Sequence, residues 1–139
     1  MDANKILSGN NGNVWFNGKL ASTIKSIELK ITCNFEEVTV CGENGTYNKY
    51  TGWAGEGTMT WNKIDSTVIS LLADAYKTGI MPDIKIVTKL TDKATGKSER
   101  AAVSDVVITE FFLAKFESKA LIEEEIPLKF SGYEVLETI

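Results

Sequence analysis

The sequence predicts a mainly β fold, an antiparallel sandwich or barrel-like domain with one flanking α-helix. Three observations predict it. Residues 25–36 alternate apolar and polar without a break, which is the period of a strand with one dry and one wet face. Only residues 66–78 show the three-and-four spacing of an amphipathic helix. Between these, turn signals such as Asn17-Gly18 and the polar stretch 91–97 punctuate runs of β-branched and aromatic residues. The 139 residues fit a single domain over 1–139. A chain of this length buries roughly two-thirds of its unfolded surface, so its core needs no metal or disulfide.

Taken in order, residues 1–13 form an N-terminal arm with a turn at 8–13. Val14-Trp15-Phe16 then meets Asn17-Gly18, a pair that supplies the positive φ of a tight hairpin turn. In the strand over 25–36, Ile27, Leu29, Ile31, Cys33 and Phe35 share one face, and Ser26, Glu28, Lys30, Thr32, Asn34 and Glu36 share the other. Val38 to Cys41 continues or bulges it. Residues 43–57 lack periodicity and are expected to be a long loop; with Tyr47, Tyr50 and Trp53 in it, the loop is expected to be ordered and functional. For the helix, Asp65 is the expected N-cap, Ile64 and Ile69 a staple across it, Val68, Leu71, Leu72 and Ala75 the buried stripe, and Gly79 the stop. Residues 84–90 are a strand. Residues 99–115 are expected as a second long strand, whose apolar runs at 106–108 and 111–113 imply burial on both faces. Residues 121–136 form the last strand, with Ile122, Ile126, Leu128 and Phe130 inward, the acids outward, and Pro127 marking an edge or bulge.

Composition excludes several function classes. There is no histidine, and Cys33 and Cys41 form no CxxC pair, which removes the usual zinc sets and the usual general base. No catalytic residue, metal ligand or cofactor site is therefore expected. Two free, mostly buried thiols are favoured over a Cys33–Cys41 disulfide. Arg100 is the sole arginine of a chain with net charge −4, so a phosphate-gripping nucleic-acid surface is not expected. Glu123-Glu124-Glu125 reads as a solvated acidic face, because hard-cation sites need oxygens converging from several loops. No apolar run spans a membrane, and the N-terminus lacks a signal-peptide pattern, so synthesis and folding in the cytoplasm are expected, without a membrane anchor.

The stretch 49–61 carries the strongest local signal. Gly52, Gly55 and Gly57 lead into Thr58-Met59-Thr60-Trp61, and glycines so spaced let backbones approach closely. The reading is that this loop lies against another copy of the protein. A different class of function stays open, a monomeric carbohydrate- or protein-binding β module using Trp53 and the tyrosines.

The order of these pieces resembles the tail tube (tail core) proteins of contractile phage tails, in the branch found in defective phages of Gram-positive bacteria and R-type bacteriocins of the diffocin kind. The resemblance rests on Ser8-Gly9 through Gly12, Asn17-Gly18, the Thr51-Gly52-Trp53-x-Gly55-x-Gly57-Thr58-Met59-Thr60 core, Tyr76-Lys77-Thr78-Gly79, and Glu123 through Glu134. It implies a structural subunit, not an enzyme, forming hexameric rings that stack into a hollow tube inside a virion tail or bacteriocin particle. It also implies a sheath around the tube, and baseplate and tape-measure partners. Under it, Tyr47, Tyr50, Gly52, Trp53, Gly55 and Gly57 form the ring-stacking loop, and Ser26, Glu28, Lys30, Thr32, Asn34 and Glu36 face the lumen. A type VI secretion-like tube ring shares that architecture. Passage of DNA through the tube is left open.

Overall fold

A computed structural model describes residue 3, residues 6–63 and residues 67–139. The chain forms a sandwich of two antiparallel sheets with one helix. A short turn over Gly9–Asn11, capped by the Ser8 side chain, leads into β1 (Gly12–Phe16). Asn17 and Gly18, with φ of 51° and 82°, return the chain into β2 (Lys19–Leu20), as the Asn-Gly pair predicts. β3 (Ile24–Thr39) and β4 (Thr46–Asn62) follow, then α1 (Thr67–Thr78), β5 (Ile86–Thr91), β6 (Ser98–Ser104), β7 (Val107–Ile108), β8 (Glu123–Phe130) and β9 (Gly132–Glu137). One sheet has the order β2-β1-β5-β6-β9, the other β3-β4-β8-β7.

The core lies between the sheets. Val14, Phe16, Ile86 and Val103 from the first sheet meet Met59, Ile108, Ile126, Leu128 and Phe130 from the second, with Leu72 of α1 and Ile84 beside them. On β8 the alternation is strict, with Glu124, Ile126, Leu128 and Phe130 buried and the residues between them facing outward or half-covered. The helix is pinned where the Tyr76 hydroxyl donates to the Ile108 carbonyl. Burial holds the Tyr76 phenol above its ordinary 10. Gly79 ends the helix, its N–H donating to the Ala75 carbonyl at 2.9 Å. The expected N-cap Asp65, Ile64 of the staple and residue 66 lie outside the described residues, as do the side chains of Val68 and Leu71. No described helix is long and apolar enough to cross a membrane.

Three expectations are corrected by this architecture. First, the supposed loop over 43–57 is strand from Thr46 onward, and it pairs with β3 as far as Thr39↔Thr46. Only residues 40–45 turn. Second, the long strands over 99–115 and 121–136 are each split between sheets. Asp105, with φ of 52°, bends the chain from β6 in the first sheet to β7 in the second. Ser131 sends it back from β8 to β9. The two crossings touch: the Ser131 N–H donates to the Ser104 carbonyl at 3.4 Å, and Ser104 pairs with Gly132. Strands that change sheets at bends make the corners of a sandwich. The apolar run 106–108 follows from this corner, because Val106 and Ile108 are buried while Val107 is exposed. After Thr109 the chain leaves strand geometry until Glu123. Third, Glu124 does not face outward with the other acids. It is 3% exposed, and its carboxylate accepts from Trp61 Nε1 at 3.3 Å.

Pro127 sits where its missing N–H is harmless. Its carbonyl accepts from the Thr109 N–H at 3.2 Å, on the side of β8 where β7 has just ended. The fully enclosed Ile126 is held between Met59 and the opposite sheet. Replacing Ile126 with Ala is expected to lower unfolding free energy by about 2–5 kcal/mol, read as a shift of the urea midpoint with unchanged m-value.

Candidate assembly surface

β3 and β4 are far longer than the sheet they belong to. β8 pairs with β4 only over 55–62, so β3 beyond Ile31 and β4 before Gly55 lose their third strand. Residues 32–39 and 46–54 thus form a two-stranded arm reaching about 26 Å past the sandwich at ~3.3 Å per residue. From Ile31 onward every residue of β3 is exposed on both faces. The edge of β3 away from β4 carries no strand among the described residues.

The polar face expected for the lumen is real and wider than β3 alone. Ser26, Glu28, Lys30, Thr32, Asn34 and Glu36 are all exposed and share one side of the strand. Their register partners on β4 are Thr60, Thr58, Glu56, Ala54, Gly52 and, past a bulge, Lys49. Glu125, Pro127 and Lys129 of β8 extend the same rows. Two ion pairs stand on this face among the described residues: Lys30 Nζ lies 3.3 Å from Glu56, and at the end of the rows Lys25 Nζ lies 3.0 Å from Glu123. Glu28, Glu36, Glu56, Glu123 and Glu125 stand against Lys25, Lys30, Lys49 and Lys129, so the face is close to neutral and carries no arginine. The single alternating strand in the sequence marks this face; the contributions of β4 and β8 depend on a register that the sequence does not state.

The aromatic and glycine residues of 47–57 divide into two groups. Tyr47 and Tyr50 lie on the arm, both exposed. Tyr50 packs edge-on against Phe35, ring centroids 5.7 Å apart. The Tyr47 hydroxyl donates to Glu43, and that bond, with slight desolvation, raises its phenol above 10. Trp53 instead belongs to the body of the same subunit, stacked edge-on to Tyr133 at 5.0 Å and tilted on Phe130 at 6.3 Å. Thr51 is the extra residue of the bulge, its hydroxyl donating to the Asn34 carbonyl at 3.0 Å, and Gly52 beside it takes φ of +147°, an angle that side chains rarely adopt.

Gly55 and Gly57 are needed inside one subunit. A Cβ on Gly55 would lie 2.4 Å from the Phe130 ring, and one on Gly57 2.4 Å from the Glu28 carbonyl oxygen and 2.7 Å from Leu29. The close approach that the spacing predicts therefore occurs, but against Phe130 and β3 of the same chain. Cys33 and Cys41 are free as expected, and exposed where burial was expected, because both stand on the arm or its tip. Among the described residues no group of His, Cys, Asp and Glu converges as a metal site.

The sandwich has counterparts among known proteins. The family model described as phage tail tube protein matches residues 1–137. The chain belongs to the phage tail tube family. Within curated proteins it is 32% identical to the phage-like element PBSX protein XkdM of Bacillus subtilis, over all of this chain and 96% of that one. Among solved structures, tail tube likeness extends to the tube-terminating cap of the anti-feeding prophage, with a TM-score of 0.79, 13% identity, and coverage of 99% of this chain and 95% of that chain. A chain of the PVC sheath-tube complex, an extracellular contractile injection system, superposes with a TM-score of 0.76 at 12% identity, covering 96% and 93%. The tail tube fold thus accounts for the sandwich at full length.

Gly57→Ala is expected to lower the unfolding free energy of the dilute protein by roughly 1–3 kcal/mol, because backbone atoms of β3 cannot give way as a side-chain tip can. Gly55→Ala is expected to be destabilising too, and less so in a Phe130→Leu background. Urea titration checks both. Unchanged stability in Gly57→Ala would show that the glycine serves only contacts between copies.

Proposed function

We propose that this protein is the repeating subunit of the inner tube of a contractile phage tail or related particle. Copies join into rings of six, and the rings stack into a hollow tube. The polar face of β3, β4 and β8 lines the lumen, and the arm reaches along the axis to the neighbouring ring. The observation that carries this reading is the second sheet: it has a wet face, a dry face, and a β3 edge whose backbone groups lack a partner strand. Long open edges invite pairing with another chain, and closing such sheets into a common barrel removes them.

The arm fits ring-to-ring contact. Phe35, Val38, Val40, Tyr47 and Tyr50 are all exposed along it, more apolar surface than a two-stranded ribbon holds stable in water. In this role Tyr47 and Tyr50 make the contact, while Gly52, Trp53, Gly55 and Gly57 shape the base of the arm. The near-neutral, arginine-free lumen face suits passage of a polyanion without counterion-release binding. A sheath as outer partner is supported by the likeness to a chain of a sheath-tube complex. Baseplate and tape-measure partners, a structural role without catalysis, and synthesis in a bacterial cytoplasm complete the proposal.

Electron microscopy of the concentrated protein tests it. Rings with an axial hole, and stacks of them, are expected. A particle that sediments as a monomer at every attainable concentration would contradict the reading.

A further inference from the structure

We infer that the apolar segment 113–121 of one subunit seats in the open cleft between the two sheets of the next subunit, and that this contact joins copies within a ring. The inference rests on the tube reading and adds the surfaces that meet.

The two features lie at opposite edges of the second sheet, whose order is β3-β4-β8-β7. At the β3 edge the sandwich gapes. Ile27, Leu29 and Ile31 face Val14, Ala101 and Val135 across a cleft of about 750 Å³. At the β7 edge the chain leaves the sheet after Thr109 and rejoins it at Glu123. It is pinned at both ends: the Thr109 N–H donates to the Pro127 carbonyl at 3.2 Å, and the Ile122 carbonyl accepts from the Lys63 N–H at 2.9 Å. Phe111 and Phe112 turn back onto the core, Phe111 edge-on to Tyr76 at 5.6 Å. The residues after them do not. Leu113, Phe116 and Leu121 are 74%, 83% and 94% exposed.

Three large apolar side chains left this exposed within nine residues of one anchored segment mark an interaction site. A second copy is the occupant that satisfies both edges together. In a head-to-tail contact each copy gives its segment to one neighbour and its cleft to the other, so none is left over when the ring closes. The same contact brings a β7 edge towards the unpaired β3 edge. Charge agrees. In a chain of net charge −4, segment 113–121 holds Lys115 and Lys119 against Glu117. The cleft is bordered by Glu99 and Glu134 with Lys89, while Lys25 is already engaged by Glu123 at 3.0 Å.

The test uses the full chain. Phe116→Asp, at an exposed position, is expected to keep the wild-type circular dichroism and melting curve while lowering ring yield at least tenfold by sedimentation and microscopy. Leu121→Asp is expected to do the same. Separately, Ile31→Cys with Phe116→Cys, in a Cys33→Ser, Cys41→Ser background, is expected to give on oxidation a ladder of covalent multimers. Wild-type rings accompanied by equally abundant Phe116→Asp and Leu121→Asp rings, or rings that oxidation leaves without a ladder, would overturn this inference and leave the tube reading standing. A wild type that never forms rings would remove both.

Discussion

The pairing of β3 with β4 is the constraint on which the rest depends. It runs from Ile24↔Trp61 to Thr39↔Thr46; Gly57 lets β4 close on Glu28 and Leu29 of β3, and Gly55 makes room for Phe130 of β8. At the base of the ribbon one face carries Ile27, Leu29 and Met59 into the sandwich, and the other stays wet. Past Gly55 the ribbon outruns the body, so what was a dry face becomes exposed apolar surface. A single strand pair thus serves as core wall, exposed polar face and projecting arm. Any distortion at Gly57 would move all three, because they share one register and a one-residue slip exchanges the two faces.

The corner at Ser104–Asp105 and Ser131–Gly132 is the second organising device. Two chain segments change sheets side by side there, which ties the sheets together at the end of the sandwich near β6, β7, β8 and β9. The other side, between β3 and the first sheet, has no such tie among the described residues and opens as a cleft. One closed and one open side make the subunit polar in shape. That polarity is what head-to-tail association requires, whereas a two-fold contact would bury identical patches. The buried Glu124, with Trp61 Nε1 as its partner, sits in the same second sheet and shows that the core accepts a carboxylate where an indole N–H satisfies it.

Much of this was legible in the sequence, for stated reasons. Strict alternation over 25–36 gave both faces of β3, Asn17-Gly18 gave the first hairpin, and the 3.6-residue spacing with Gly79 gave the helix. The resemblance of the motifs, in the same order over nearly the whole chain, gave the family. The misses have physical causes too. Gly52, Gly55 and Gly57 erase the side-chain alternation by which a strand is recognised, so β4 looked like a loop. Their close approach was attributed to a neighbour because sequence spacing cannot say which backbone is approached. The continuous run at 106–108 and the reading of 121–136 as one strand concealed sheet changes, since a residue on either side of a corner points inward. Glu124 was placed with its charged neighbours although its parity with Ile126 and Leu128 marked it as inward.

The central claim is that copies complete each other's β architecture along β3 and its arm. Amide hydrogen exchange, compared between dilute subunits and assembled particles, tests it most directly. The account predicts that in dilute protein the outward-facing amides of β3 between Ser26 and Val38, and those near the arm tip, exchange quickly, and that assembly protects them by orders of magnitude while the Ile126–Phe130 region changes little. Equal exchange of β3 and the arm in both states would contradict it.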